Sequence, residues 1–328
     1  MPTTRKKLKT KNMVRLTETI PTNEVLQLPS WFRQDVPDLK KITAMKQLFR
    51  SSNLHTVCES AHCPNIGKCW GQGVATFMIL GEICTRACRF CAVKAGRPMD
   101  VDEEEPRNVA LAVLQMKLRY VVITSVARDD MPDEGAHHFA KTILAIRDIS
   151  PQTKIEVLIP DFSNKLDSLK TLVKVKPEVV SHNIETVRRL SPEIRPQAEY
   201  ERSLGVLKNF KKLDSSIFTK TSLMVGLGET EEEIREAMQD LRDADCDILT
   251  IGQYLSPSQM KRHLPVKRFS TPEEFEALKQ IGLQTGFKHV MSAPLVRSSY
   301  IAEEGYRECF EKSEQCTVNS VQKKANDS

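Results

Sequence analysis

The sequence predicts an α/β protein built on a parallel sheet. Short apolar runs rich in β-branched residues recur from residue 76 onward. The segments between them place apolar residues every three or four positions. The composition, 40% hydrophobic and 28% charged, is that of a chain with an ordinary buried core. Strands that alternate with helices pair in parallel through right-handed crossovers. Six such units can form a doubly wound sheet or an incomplete barrel, and either one gathers its ligand site at the carboxyl ends of the strands.

The expected strands are 76–80, 120–124, 155–159, 179–182, 219–225 and 248–252. Helical spacing covers 135–149, 166–175, 200–213 and 231–244. After the last strand Thr271 can cap a further helix, Pro272 suits its first position, Glu274 completes a capping box and Gly286 ends the run. Residues 1–50 show no clean periodicity, and with Pro21, Pro29 and Pro37 they suggest an extended segment laid over another surface. No internal repeat or low-complexity tract stands out.

At 328 residues the chain has room for one large α/β domain or two ordinary ones. A net charge of +5 is too mild to indicate nucleic acid, and no uncharged stretch approaches the roughly 20 residues of a membrane span. Arg5, Lys6, Lys7, Lys9, Lys11 and Arg15 face only Glu18 near the start. No apolar segment follows them, so a secretory signal is not expected; a solvated arm is favoured over an organellar transit peptide. Six of the nine cysteines fall between Cys58 and Cys91. Such clustering points to metal in a reducing compartment rather than to disulfides.

Cys84, Cys88 and Cys91 stand as C-x3-C-x2-C just after the first strand. Three thiolates on one loop can hold three irons of a 4Fe–4S cubane and leave the fourth open, whereas closed clusters use four cysteines. A zinc site would want a second cysteine or histidine pair, and none stands nearby. This spacing, with Phe90 before the third cysteine, resembles the radical S-adenosylmethionine superfamily. The resemblance implies that the open iron chelates S-adenosylmethionine and that an electron from the cluster cleaves it to a 5′-deoxyadenosyl radical.

Cys58, Cys63 and Cys69 form a second triad, C-x4-C-x5-C, whose soft ligands suit iron–sulfur or zinc. His62 adjoins Cys63 and is badly placed to reach the same ion. The two triads in succession resemble the lipoyl synthase family. So do the stretches 122–126, Arg128-Asp129-Asp130, 221–230, 250–255 and Pro294-Leu295-Val296-Arg297-Ser298-Ser299-Tyr300. The likeness spans residues 50–302. It implies a partial (β/α)6 TIM-like barrel over 76–292, flanked by an extension at 1–75 and a segment at 293–328 that together carry an auxiliary cluster. In that family Ser299 is an unusual fourth ligand to this second 4Fe–4S cluster; alkoxide is harder than thiolate and leaves more readily.

The same resemblance implies insertion of two sulfur atoms at the sixth and eighth carbons of a protein-bound octanoyl-lysine, with the auxiliary cluster consumed as sulfur source. Partners would be octanoylated lipoyl carrier domains of 2-oxoacid dehydrogenase complexes and the glycine cleavage carrier protein. An electron donor such as ferredoxin or flavodoxin would serve it, in the cytoplasm, with no nucleic acid and no membrane. Ser125, Arg128, Asn183, Glu185, Arg195 and Lys220 are the candidates to bind S-adenosylmethionine. Arg89, Ala92, Glu134, Ser256 and Ala293 depart from the family's usual residues. Rival classes are a methylthiotransferase, for which 303–328 is too short to be an RNA-binding domain, and a metal-stabilised nucleic-acid binder, for which basic residues are too dispersed. Cys246 reads as a buried thiol, Cys309 and Cys316 match no motif, and the tail from Glu303 reads as polar and mobile.

Overall fold

The computed structural model describes residues 27–34, 38–71 and 74–311. The basic arm, Pro21, Pro37 and Cys316 lie outside the described residues. Eight strands form one sheet in strict chain order. They are β1 (His55–Thr56), β2 (Thr76–Ile79), β3 (Tyr120–Ser125), β4 (Lys154–Leu158), β5 (Val179–Ser181), β6 (Phe218–Val225), β7 (Ile248–Gln253) and β8 (His289–Ser292). β1 runs antiparallel to β2, and every later pair is parallel. A doubly wound sheet reverses its strand order at a switch point. This one never does, and the architecture is an incomplete barrel. Its parallel strands number one more than the six expected, because β8 holds His289 and Ser292 and lacks an apolar run.

The longer helices are α1 (Leu39–Ser51), α2 (Glu105–Gln115), α3 (Ala136–Ile149), α4 (Leu166–Lys174), α5 (Tyr200–Leu213), α6 (Glu231–Asp243) and α7 (Pro272–Thr285). α3 to α7 match the sequence expectation to within about a residue at each end. At α7 the capping box forms in full, and Gly286 takes the left-handed conformation (φ 106°) that glycine adopts without cost.

α1 corrects the expectation of an extended segment. Asp38 caps it by accepting the Lys40 N–H at 3.0 Å, and only Met45 and Phe49 are buried in it, too few to show a period. α2 went unseen because Val109, Ala110, Ala112 and Val113 are bunched rather than spaced. The expectation for the tail is corrected over 303–311, and its remainder lies outside the described residues. Residues 302–311 are helical, with Cys309 fully buried and Tyr306 packed on Tyr120 and Phe218 at centroid distances of 5.9 and 6.1 Å.

Two features of the core position the cysteines. Phe49 stacks on Trp70 (5.9 Å) and tilts against Phe77 (5.3 Å). The residue after Cys69 is thereby anchored to β2, and burying an indole of this size stabilises by about 3 kcal/mol. Thr56 Oγ1 donates to the Thr76 carbonyl at 2.8 Å and accepts the Cys58 N–H at 3.2 Å, so the loop carrying the second triad starts on the barrel's edge. Cys246 is fully buried, as its apolar neighbours suggested. No helix of the described residues is long and apolar enough to cross a membrane.

The exit from β2 hangs on one buried carboxylate. Leu80 takes left-handed backbone (φ 68°), which is costly for leucine. Glu105 holds the turn by accepting the Leu80 N–H at 2.8 Å while the same oxygen meets His138 Nε2 at 2.7 Å. Glu105→Ala strands both buried groups and should cost about 3 kcal/mol in urea denaturation, with Glu105→Gln losing less. A loss for the alanine variant under about 0.5 kcal/mol would show that the carboxylate does not hold this turn.

Candidate active site

After Leu80 and Gly81, Ile83–Cys84 pairs in parallel with Lys94–Ala95. The loop between them folds back over the barrel. Cys84 Sγ accepts the backbone N–H groups of Arg86 at 3.4 Å and Ala127 at 3.3 Å. A cavity of about 550 Å³ opens at the carboxyl ends of the strands, lined by Cys58, Cys63, Cys84, Cys88, Cys91 and Ser299. Cys69 stands outside the lining, close enough for Cys63 and Cys58 to act on its thiol. None of the six is in a disulfide.

Burial pushes the Cys88 thiol up to about 12, the Cys91 thiol to about 11 and the Cys69 thiol to about 12, and it raises Cys63. Thiols this shielded give up their protons only to a cation that takes the protons' place, which an iron–sulfur core does. Among the described residues no three His, Cys, Asp or Glu side chains converge on one point suited to a single ion. A cubane takes one thiolate per iron, so its ligands stand apart and the donor set fits 4Fe–4S.

The signature loop is locked by a residue that sequence reasoning missed. Arg86, buried, reaches Asp129 at 2.6 Å and Asp161 at 2.7 Å, tying the loop to the ends of β3 and β4. The Arg86 guanidinium holds Asp161 down at about 2 against the cost of burial. Glu134, where the family tends to have glycine, takes φ 54° and pairs with Lys165 at 2.8 Å and Arg86 at 3.8 Å. The only hint in the sequence was the Arg128-Asp129-Asp130 run, in which Asp129 is the partner.

Four of the six S-adenosylmethionine candidates come together. Ser125, Asn183, Glu185 and Arg195 all line the cavity. Asn183 Nδ2 donates to Glu185 Oε1 at 3.0 Å; Ser125 Oγ and Asn183 Oδ1 are buried without a partner. Burial raises the Glu185 carboxyl against Arg195, Asn183 and Arg297, which oppose the rise. Arg195 is braced by donating to the Ile184 carbonyl at 2.7 Å and to Ser203 Oγ at 3.2 Å.

The other two candidates lie elsewhere. Lys220 is near the amino end of β6, opposite the ligand side, and forms a buried pair with Glu156 at 2.8 Å. Arg128 turns away to Asp130 at 2.8 Å.

The C-terminal segment closes the site from above β7. A Cβ on Gly252 would run into the Val296 carbonyl, so glycine alone permits this approach. Asn65 Nδ2 donates to the Leu295 carbonyl at 2.6 Å and Lys68 Nζ to the Tyr300 hydroxyl at 2.9 Å. These bonds bracket Ser299 and tie it to the Cys58–Cys69 loop. Residues 27–34 lie nearby, with Phe32 against Phe269 at 5.5 Å and Gln34 Nε2 donating to the Pro64 carbonyl at 2.8 Å.

An incomplete parallel barrel with three thiols on the loop after its first parallel strand defines the radical S-adenosylmethionine class, and the model of the Radical SAM superfamily matches residues 78–241. HydG, a maturase of the FeFe hydrogenase, shares the fold at a TM-score of 0.53, with 14% identity over 84% of this chain and 61% of that one. The model for the N-terminal domain of lipoyl synthase matches residues 3–63. Lipoyl synthase of Caldicellulosiruptor saccharolyticus is 52% identical over 84% of this chain and 96% of its own. That of Bacillus cereus is 53% identical over 88% and 97%. The chain belongs to the lipoyl synthase family.

His182, on the cavity wall, supports Arg195 through Ser203. Its Nδ1 lies 3.0 Å from the Ile159 carbonyl and must donate, which leaves Nε2 to accept from Ser203 Oγ at 3.0 Å. Burial, with the Arg195 charge second, drops this imidazole to about 4. The folded value is below the unfolded one, so the unfolded chain takes up the proton first as pH falls. The contribution to stability is full above about 6.5 and is lost down to about 4, at no more than about 1.4 kcal/mol per pH unit. Urea denaturation at pH 7 and pH 5 should show this fall, and His182→Gln should flatten it; an unchanged slope in the variant would assign the fall elsewhere.

Proposed function

We propose that this cavity inserts two sulfur atoms at the sixth and eighth carbons of an octanoyl chain held in amide linkage to a lysine of a lipoyl carrier domain. The observation that carries the reading is the sharing of one cavity by cysteines of both triads and by Ser299. Bound there, an open-iron 4Fe–4S cluster supplies the electron that cleaves S-adenosylmethionine to a 5′-deoxyadenosyl radical, and an auxiliary 4Fe–4S cluster supplies the sulfur.

In this reading Cys84, Cys88 and Cys91 hold three irons of the first cluster. Cys58, Cys63 and Cys69 hold the second, with the Ser299 oxygen as its fourth, most easily released ligand. The Ser125 and Asn183 oxygens, which are without a partner, and the Glu185 carboxylate would receive the hydroxyl and ammonium groups of S-adenosylmethionine, and Arg195 its carboxylate. Met78, Val126, Ile159, Met224 and Leu255 on the walls suit an apolar acyl chain and keep water from a radical. The division into 1–75, 76–292 and 293–328 follows the same logic: the barrel binds S-adenosylmethionine, and the two flanks build the auxiliary site. Carriers of 2-oxoacid dehydrogenase complexes and of glycine cleavage, with ferredoxin or flavodoxin as reductant in the cytoplasm, complete the proposal.

Anaerobic incubation of an octanoylated carrier domain with enzyme, reductant and S-adenosylmethionine should remove two hydrogens and add two sulfurs by mass spectrometry. Iron should be about eight per chain after reconstitution, as two cubanes require. Cys58→Ala should still cleave S-adenosylmethionine while yielding no thiolated product, and Cys84→Ala should cleave none. Sulfur insertion by either variant, or full activity at about four irons, would overturn the assignment.

A further inference from the structure

Each cysteine triad has an arginine of its own, Arg195 buried and Arg297 half-buried, and both line the same cavity as Glu185. The Arg195 charge acts on Glu185 and Cys88, and the Arg297 charge on Cys63 and Glu185. Arg195 is already held by Ile184 and Ser203. Arg297 has a different setting. Its Nη1 donates to the carbonyl of its own neighbour Val296 at 2.7 Å, and the rest of the guanidinium makes no hydrogen bond or ion pair among the described residues. It lines the cavity beside Ser298 and Ser299, delivered there by the close approach of Val296 to Gly252.

A half-buried cation on a cavity wall with no carboxylate in contact is available to a negative group bound in that cavity. Lys68, the other cation that acts on this triad, is exposed and turned to the Tyr300 hydroxyl. A 4Fe–4S core bound by three thiolates and an alkoxide carries net negative charge, which grows on reduction. We propose that Arg297 is the positioning cation of the auxiliary triad, balancing the charge of the cluster held by Cys58, Cys63, Cys69 and Ser299. This rests on the two-cluster reading above.

The test uses anaerobically reconstituted holoenzyme carrying Arg297→Gln or Arg297→Lys. Iron per chain is measured, together with the reduced fraction of the cluster whose electron paramagnetic resonance signal does not respond to S-adenosylmethionine. Removing the charge should lower the ratio of reduced to oxidised auxiliary cluster about tenfold at fixed potential, which is about 59 mV for a one-electron couple. The lysine variant should recover most of it. Thiolated product per 5′-deoxyadenosine should fall at least about tenfold in the glutamine variant alone. About four irons with glutamine but about eight with lysine would likewise support the charge role. Equal behaviour of the two variants, or an unshifted ratio with glutamine, would overturn it. A wild-type chain with about four irons would instead sink the two-cluster reading itself.

Discussion

The buried guanidinium of Arg86 is the interaction on which the arrangement of the site depends. It leaves the signature loop between Cys84 and Cys88 and engages Asp129 beyond β3 and Asp161 beyond β4. Three separate strand exits are thus fixed against one another, and the loop cannot shift without exposing a charge to an apolar surrounding. Breaking such a pair by removing one partner costs about 3–5 kcal/mol. Asp161 also accepts from Arg202 on α5 at 3.3 Å, which extends the same lock to the helix layer. The rigidity suits chemistry in which a reactive radical must meet one carbon and nothing else.

Much of the fold was legible because the barrel repeats one simple pattern. β2 to β7 are short, mostly buried runs rich in β-branched residues, as strands covered on both faces tend to be, and α7 displays its start and stop signals in residue types alone. What escaped notice lacked contrast. α1 buries two side chains, α2 bunches its apolar residues, and β8 mixes His289 and Ser292 with Val290 and Met291. Each is stabilised by what it packs on rather than by its own pattern.

The site was legible to a different depth. Cysteine spacing marks itself, and Ser125, Asn183, Glu185 and Arg195 follow strands at the end where ligands bind. Lys220 was a misreading of depth along a strand: it is the third residue of β6, and its partner Glu156 lies inside the barrel near the amino ends. Arg86 was invisible as a structural lock because an arginine beside a motif looks the same whether it is solvated or buried. Only long-range packing tells the two states apart.

The segment bearing Ser299 is pinned on both sides. Val296 is seated against Gly252 at one end of the barrel, and Tyr306 is wedged between Tyr120 and Phe218 at the other. Between these anchors lies a short tether with little slack. In the proposed function a serine on such a tether would release a metal and retake it through a local swing of a few residues, without the segment leaving the barrel. A ligand able to let go would therefore also be one that cannot go far.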